Sequence, residues 1–160
     1  MSLGMHFAIT DKDRRKLLDM EGDDEGISEY VHEVIEERDD DYNVAADKAW
    51  DAIHRSLTDG RLGFDNGASP LNLAVLGGKL LTSGEDEIVV LVDKDQAPAV
   101  AAALMAVTEP SLRTGYERID AADYPAFGDE DFDYTWENFV HLTDFWRQAA
   151  ASKRHVIFTA

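Results

Sequence analysis

The chain of 160 residues has no cysteine. Disulfide cross-links, thiolate nucleophiles and cysteine-based zinc sites are therefore excluded, and the absence fits a reducing compartment. Long apolar runs are also missing. The longest, "APAVAAALMAV", has eleven residues, well short of the ~20 that a bilayer-crossing helix needs. The opening "MSLGMHFAIT" has no basic leader followed by an apolar core, so no secretory signal is expected. Met1 to Leu3 read as a remnant of expression cloning, which leaves one expected domain over residues 4–160. Positive charge is scarce: 15 Lys and Arg stand against 33 Asp and Glu, a net charge of −18. Phosphate backbones and anionic lipid surfaces would be repelled. The expectation is a cytoplasmic protein with neither a nucleic-acid nor a membrane partner.

What is present reads as globular. Hydrophobic residues make up 44% and charged residues 30% of the chain, an ordinary composition for a folded domain. The length suits one domain with a core that needs no staples. The acid is unevenly spread. Between Glu21 and Tyr42 there are eleven acidic residues and a single Arg, Arg38. The segment Glu21 to Asp41 reads either as a solvated face or as a surface that steers a basic partner.

Periodicity supplies the elements. "GMHFAIT" alternates and predicts a strand with Met5, Phe7 and Ile9 on one face. Asp11 is expected to cap a short helix, "KDRRKLLDM". "ISEYVHEVIEER" predicts an amphipathic helix with Ile27, Tyr30, Val31, Val34 and Ile35 inward. A helix from about Val44 to Thr58 carries Ala46, Trp50, Ile53 and Leu57 on one stripe. "LNLAVLGG" reads as a short helix stopped by its Gly pair. The continuously apolar "EIVVLV" predicts a central strand covered on both faces. Pro98 is tolerated in the first turn of the next helix if Asp95 is its cap. Thr108 caps another helix, and Phe132 to Ser152 form a long last one with Phe132, Trp136, Phe139, Thr143, Trp146 and Ala150 in its seam. "RHVIFT" closes the chain as a strand. The fold class expected is α+β, a mostly helical single domain around a small sheet of about three strands.

The chemistry is sparse. His54 lies one helical turn after Trp50, at the edge of the apolar stripe. It reads as an imidazole beside an aromatic wall or as a boundary histidine packed there. Asp47, seven residues back, is about 10.5 Å away along a straight helix and cannot orient it directly. Glu29 and His32 form one E-x-x-H pair, but a di-iron bundle needs two. His32 with Glu36 resembles half of H-E-x-x-H. "DEDFDY" fails as a calcium loop at Tyr134 and Val140, and "DDDYNV" fails at Val44. "AVLGGKLL" fails as a phosphate loop at Leu73 and Leu80. His141 projects away from its helix's apolar stripe. His6 and His155 lie on the terminal strands and would approach one another only if those strands were neighbours. No metal and no cofactor is expected.

Four stretches taken together, "DKAWDAIHRSLTDG", "PLNLAVLGGKLL", "DYP" and "FWRQAAASKRHVIFT", resemble the YfbM-like family of small bacterial proteins, a domain of unknown function. The resemblance runs from "GMHFAI" onward and departs in the acidic segment. It implies a single α+β domain and implies no reaction. It sets Asp47, Trp50, His54, Gly77 and Gly78 at the family's motif positions. Two functions remain open. One is a non-catalytic binding or interaction protein with an acidic surface that masks a basic protein partner. The other is a small-molecule binder or enzyme whose pocket is walled by Trp50 and His54, with Asp47, Gly77, Gly78 and Tyr124 nearby.

Overall fold

In a computed structural model that describes residues 2–38 and 40–160, the alternating segment at the start is a strand, β1 (Gly4–Ile9). Phe7 and Ile9 face one side of a sheet. Ala8 and His6 face the other, where His6 meets Phe145 and Phe158. The remaining strands are β2 (Asn43–Asp47), β3 (Lys79–Leu80), β4 (Val89–Val92) and β5 (His155–Thr159), all antiparallel in the order β2-β1-β5-β4-β3.

The sheet therefore has five strands where the sequence points to about three. Both unexpected strands are at its edges. β2 reads as the first turn of the Trp50 helix because its residue types, "NVAAD", do not alternate, although Val44 and Ala46 turn inward and Asn43, Ala45 and Asp47 outward. Its Val-Ala-Ala core is equally acceptable in a helix. β3 is two residues long, too short for any period. The central strand is β5, not the "EIVVLV" strand. The apolar run of β4 still has the cause expected of it. Val90 and Val92 enter one core, Val89 and Leu91 the other, so both faces are covered.

Among the described residues six α-helices cover this sheet: α1 (Asp11–Asp19), α2 (Asp24–Tyr30), α3 (Trp50–Leu57), α4 (Ala97–Met105), α5 (Glu109–Tyr116) and α6 (Asp129–Ala151). Helices α3 to α6 pack on the face of Val90, Val156 and Phe158, around Trp50, Tyr116, Phe139 and Trp146. Helices α1 and α2 cover the other face with Leu17 and Ile27. α5 comes close enough to α3 that a Cβ on Gly115 would lie 2.0 Å from the Ser56 carbonyl oxygen, so glycine is required there.

Local chemistry corrects several boundaries. The cap of α1 is Thr10, not Asp11: its hydroxyl accepts from the Asp13 N–H while the Asp13 carboxylate accepts from the Thr10 N–H. Asp11 is left free to face elsewhere. After Tyr30 the helix widens into a π turn, Val31–Ile35, which turns Val34 out to 39% exposure while Val31 and Ile35 stay buried. α4 starts at Ala97 after Gln96, because a turn from Asp93 already directs the chain (Gln96 N–H to the Asp93 carbonyl, 2.9 Å). Asp95 is thus not its cap, although Pro98 does fall in the first turn. "LNLA" is a 3₁₀ turn, Leu71–Ala74. In α6 the buried seam runs through Phe132, Thr135, Phe139, Leu142, Phe145, Trp146 and Ala149. Trp136, Thr143 and Ala150 stand at its margin. Among the described residues no helix is long and apolar enough to cross a membrane.

The terminal strands are neighbours, yet His6 and His155 do not meet. The register sets His6 opposite Phe158 and His155 opposite Ile9. The two imidazoles therefore point to opposite faces of the sheet.

Candidate functional site

All eight residues of α3 are buried. His54 is 1% exposed, and its Nε2 lies 3.0 Å from Asn66 Oδ1. The Asn66 amide nitrogen faces three oxygens: Thr58 Oγ1 at 3.1 Å, Asp59 Oδ1 at 2.6 Å and the Arg61 carbonyl at 2.9 Å. That nitrogen is the donor end, so Oδ1 accepts and His54 Nε2 carries the proton. Burial lowers the His54 pKa, with Asn66 and the Gly63 backbone partly opposing. The Thr58 hydroxyl closes the cluster by donating 2.7 Å to the His54 carbonyl. His54 thus clasps the loop after α3 onto the helix. A cleft of about 400 Å³ opens on that loop, lined by Asp59, Arg61 and Asn66 among others. Asn66 stands between it and the imidazole.

The other residues singled out in the sequence lie in separate places. Asp47 ends β2 with φ 47° and accepts from the Tyr134 hydroxyl at 2.7 Å. The same hydroxyl accepts the Lys48 N–H at 3.2 Å. Trp50 is 5% exposed. Its indole N–H donates to the Ser2 carbonyl at 2.9 Å, and its ring packs on Phe158. Tyr124 donates to Asp131 at 3.0 Å beneath the Arg55 guanidinium, which is itself paired with Asp51 at 2.6 Å. Gly77 and Gly78 sit beside β4. A Cβ on Gly77 would meet the Asn72 carbonyl at 2.3 Å, and one on Gly78 the Leu91 carbonyl at 2.5 Å. Close backbone packing demands both glycines. Among the described residues, neither Trp50 nor His54 lines any of five prominent surface clefts of about 330 to 580 Å³.

One of these clefts gathers residues that lie far apart in the sequence. At the end of the sheet where β1 and β4 finish and β5 begins, about 440 Å³ is lined by Asp11, Arg14, Arg15, Asp93, Lys94, Asp95 and His155. His155 is 5% exposed. Its Nδ1 accepts the Lys94 backbone N–H at 2.9 Å, and its Nε2 donates to Asp11 Oδ1 at 2.7 Å. Both ring nitrogens are therefore engaged, and the tautomer is fixed. The His155 bond, with Lys94 behind it, holds the Asp11 carboxyl below its usual range. Arg14 Nε donates to Asp93 at 2.6 Å. Sequence spacing carries no trace of this cluster. Its members come from three segments up to 144 residues apart, which only the strand order brings together.

The acidic segment forms an outward face. Glu25 and Glu29 on α2, and Glu33 and Glu37 around the π turn, are exposed and enter no ion pair among the described residues. On this face His32 joins Glu36 through Nδ1 (3.0 Å) and Glu87 through Nε2 (2.8 Å). Glu36 foremost raises its pKa. The two carboxylates sit on opposite nitrogens of one ring, so they cannot converge on an ion. Among the described residues no three His, Asp or Glu side chains are arranged to hold a metal.

The model of a family described as "Domain of unknown function (DUF1877)" matches residues 1–159. Among solved structures, a protein of unknown function from Escherichia coli, YfbM, is similar over 99% of each chain, with a TM-score of 0.74 and 21% identity. That likeness bears on the fold alone. No curated protein matches the chain.

Proposed function

We propose, from the premise that this chain belongs to the DUF1877 family, that it is a non-catalytic cytoplasmic binding protein whose acidic face receives a basic protein partner. The observation that carries this reading is how the two signs of charge are used. Arg38, the single Arg of the acidic segment, is spent on Asp13, and eight of the 15 Lys and Arg of the chain, Arg14, Arg38, Arg55, Arg61, Lys79, Lys94, Arg113 and Arg147, are tied to carboxylates within the molecule. The carboxylates of Glu25, Glu29, Glu33 and Glu37 are not. A face of unspent negative charge attracts a basic surface over about a Debye length, ~8 Å at physiological salt. The lack of cysteine supports the compartment.

The experiment is partner capture from the source cell at low and raised salt, with two matched triple variants. Glu25→Lys/Glu29→Lys/Glu33→Lys reverses the face, and Glu130→Lys/Asp133→Lys/Glu137→Lys makes the same charge change on α6. A partner lost to salt and to the first variant, and kept by the second, supports the reading. Retention by the first variant, or equal loss in both, overturns it. A small-molecule pocket at Trp50 and His54 has less support, because both side chains are buried and already bonded.

A further inference from the structure

The cleft at the end of the sheet is separate from the acidic face, and its charges are not all used. Asp11 is occupied by His155 and Lys94. Arg14 commits Nε to Asp93, which fixes the plane of its guanidinium and leaves its two Nη groups without a protein acceptor among the described hydrogen bonds. Arg15 and Asp95 are exposed and enter no described ion pair. The cleft therefore offers two unspent cationic groups, the Arg14 Nη edge and Arg15, and one unspent carboxylate, Asp95. A guanidinium held in plane, with its Nη edge free, is suited to a planar carboxylate.

A second cleft of about 390 Å³ adjoins the first and shares Arg14 and Asp93 with it. Its walls include Leu18, Leu73 and Leu91 and the close-packed Gly77–Gly78 backbone. The charged mouth thus adjoins a cleft whose walls are part leucine and part polar, with Lys79 and Gln96 beside the three leucines. Electrostatics chooses among ligands. The mouth carries three aspartates against Arg14, Arg15 and Lys94, in a chain of net charge −18. A phosphate dianion would meet the unpaired Asp95 and the negative field of the whole chain, and a simple cation would meet the arginines. A molecule carrying both signs avoids both penalties.

We propose that this cleft binds a small zwitterion of the α-amino acid class with an apolar side chain. Its carboxylate lies on Arg14 and Arg15, its ammonium on Asp95, and its side chain against Leu18, Leu73 and Leu91. His155 is a positioning residue: with both nitrogens spent it orients Asp11 and the Lys94 backbone and takes no proton from the ligand.

The test is titration of the full chain, followed by backbone amide NMR and calorimetry, with L-leucine, L-isoleucine, L-valine and L-methionine up to about 10 mM, the weak end of specific small-ligand affinity. Comparison probes are 4-methylpentanoate, which lacks the ammonium, 3-methylbutylamine, which lacks the carboxylate, and inorganic phosphate. The expected result is saturable binding of at least one amino acid, with shifts at Lys94, Asp95 and His155, and each comparison probe about tenfold weaker or more. Arg15→Gln and Asp95→Asn, both surface changes whose melting curves should match the parent, are each expected to weaken that binding about tenfold. Absence of saturable binding by all four amino acids overturns the proposal. So do shifts that map away from the cleft, phosphate binding more tightly than any amino acid, or affinity unchanged in both variants.

Discussion

On one side of the sheet Trp50, Trp146, Phe139, Phe145 and Phe158 interlock beneath four helices. On the other, Leu17, Ile27, Val31 and Ile35 lie beneath two short helices and a π turn, with no aromatic side chain but Phe7 in the buried set. The thin side makes up its small apolar mass with a polar knot. Asp13, fully buried, accepts from Arg38 through both carboxylate oxygens, from the Tyr30 hydroxyl at 2.7 Å and from the Thr10 N–H at 3.0 Å. The thick side is held mainly by volume and can absorb surface change. The thin side depends on one carboxylate that cannot lose a partner cheaply. It is also the side that carries the acidic face.

The sharpest break of this contrast is Trp146→Ala. It empties the thick core and removes the bond from the indole N–H to the Ala74 carbonyl. The expected loss is about 3–5 kcal/mol in denaturant unfolding, against about 2–3 kcal/mol for Ile27→Ala on the thin side. Equal losses would mean that the two layers share one energetic scale.

Asp13→Asn comes next. Burial works against ionisation of Asp13, but the bonds from Arg38, the Thr10 backbone and Tyr30 outweigh it and hold the carboxyl well below its usual range. A depressed carboxyl contributes stability that is present above its unfolded pKa, about 4, and is lost as pH falls further. The amide variant should cost about 2–3 kcal/mol at neutral pH and should lose less stability than the parent below pH 4. An unchanged acid limb would show that the knot is not what holds the thin side.

A third test exploits His6, a buried imidazole on the thick side of the sheet. Burial lowers the pKa of His6 from 6.5 to about 4, against an opposing bond to the Ala74 carbonyl, and its Nδ1 has no partner among the described residues. The ring is neutral when folded but takes a proton below pH 6.5 when unfolded. Stability should therefore fall as pH drops from 6.5 toward 4, by at most about 1.4 kcal/mol per unit. His6→Phe should flatten that window, read from melting temperature against pH. The smallest effect belongs to Glu25→Gln/Glu29→Gln/Glu33→Gln, within about 0.5 kcal/mol of the parent at neutral pH. A larger shift would tie the face to the fold rather than to a partner.

The sequence revealed what periodicity and capping control. β1, β5, the apolar β4 and the cores of α1, α5 and α6 all follow from spacing, and Thr108 caps α5 as expected. It concealed what only neighbours decide. β2 is a strand because β1 needs a partner on its free side, not because "NVAAD" prefers one. The π turn is invisible to a 3.6-residue period. His54 was visible as a residue, but its partner, Asn66, sits in a loop with no regular spacing. The Asp11–His155 cleft was illegible altogether, since strand order alone unites it.

The central place of β5 has one more consequence. β1 cannot join β4 until His155–Thr159 slides between them as a hydrogen-bonded bridge. While the ribosome still encloses that stretch, the nascent protein holds β1 and its edge partner on one hand and β4 on the other, unjoined. Assembly of the native sheet must therefore await extrusion of this late segment, and nascent copies will carry open, adhesive edges until it arrives.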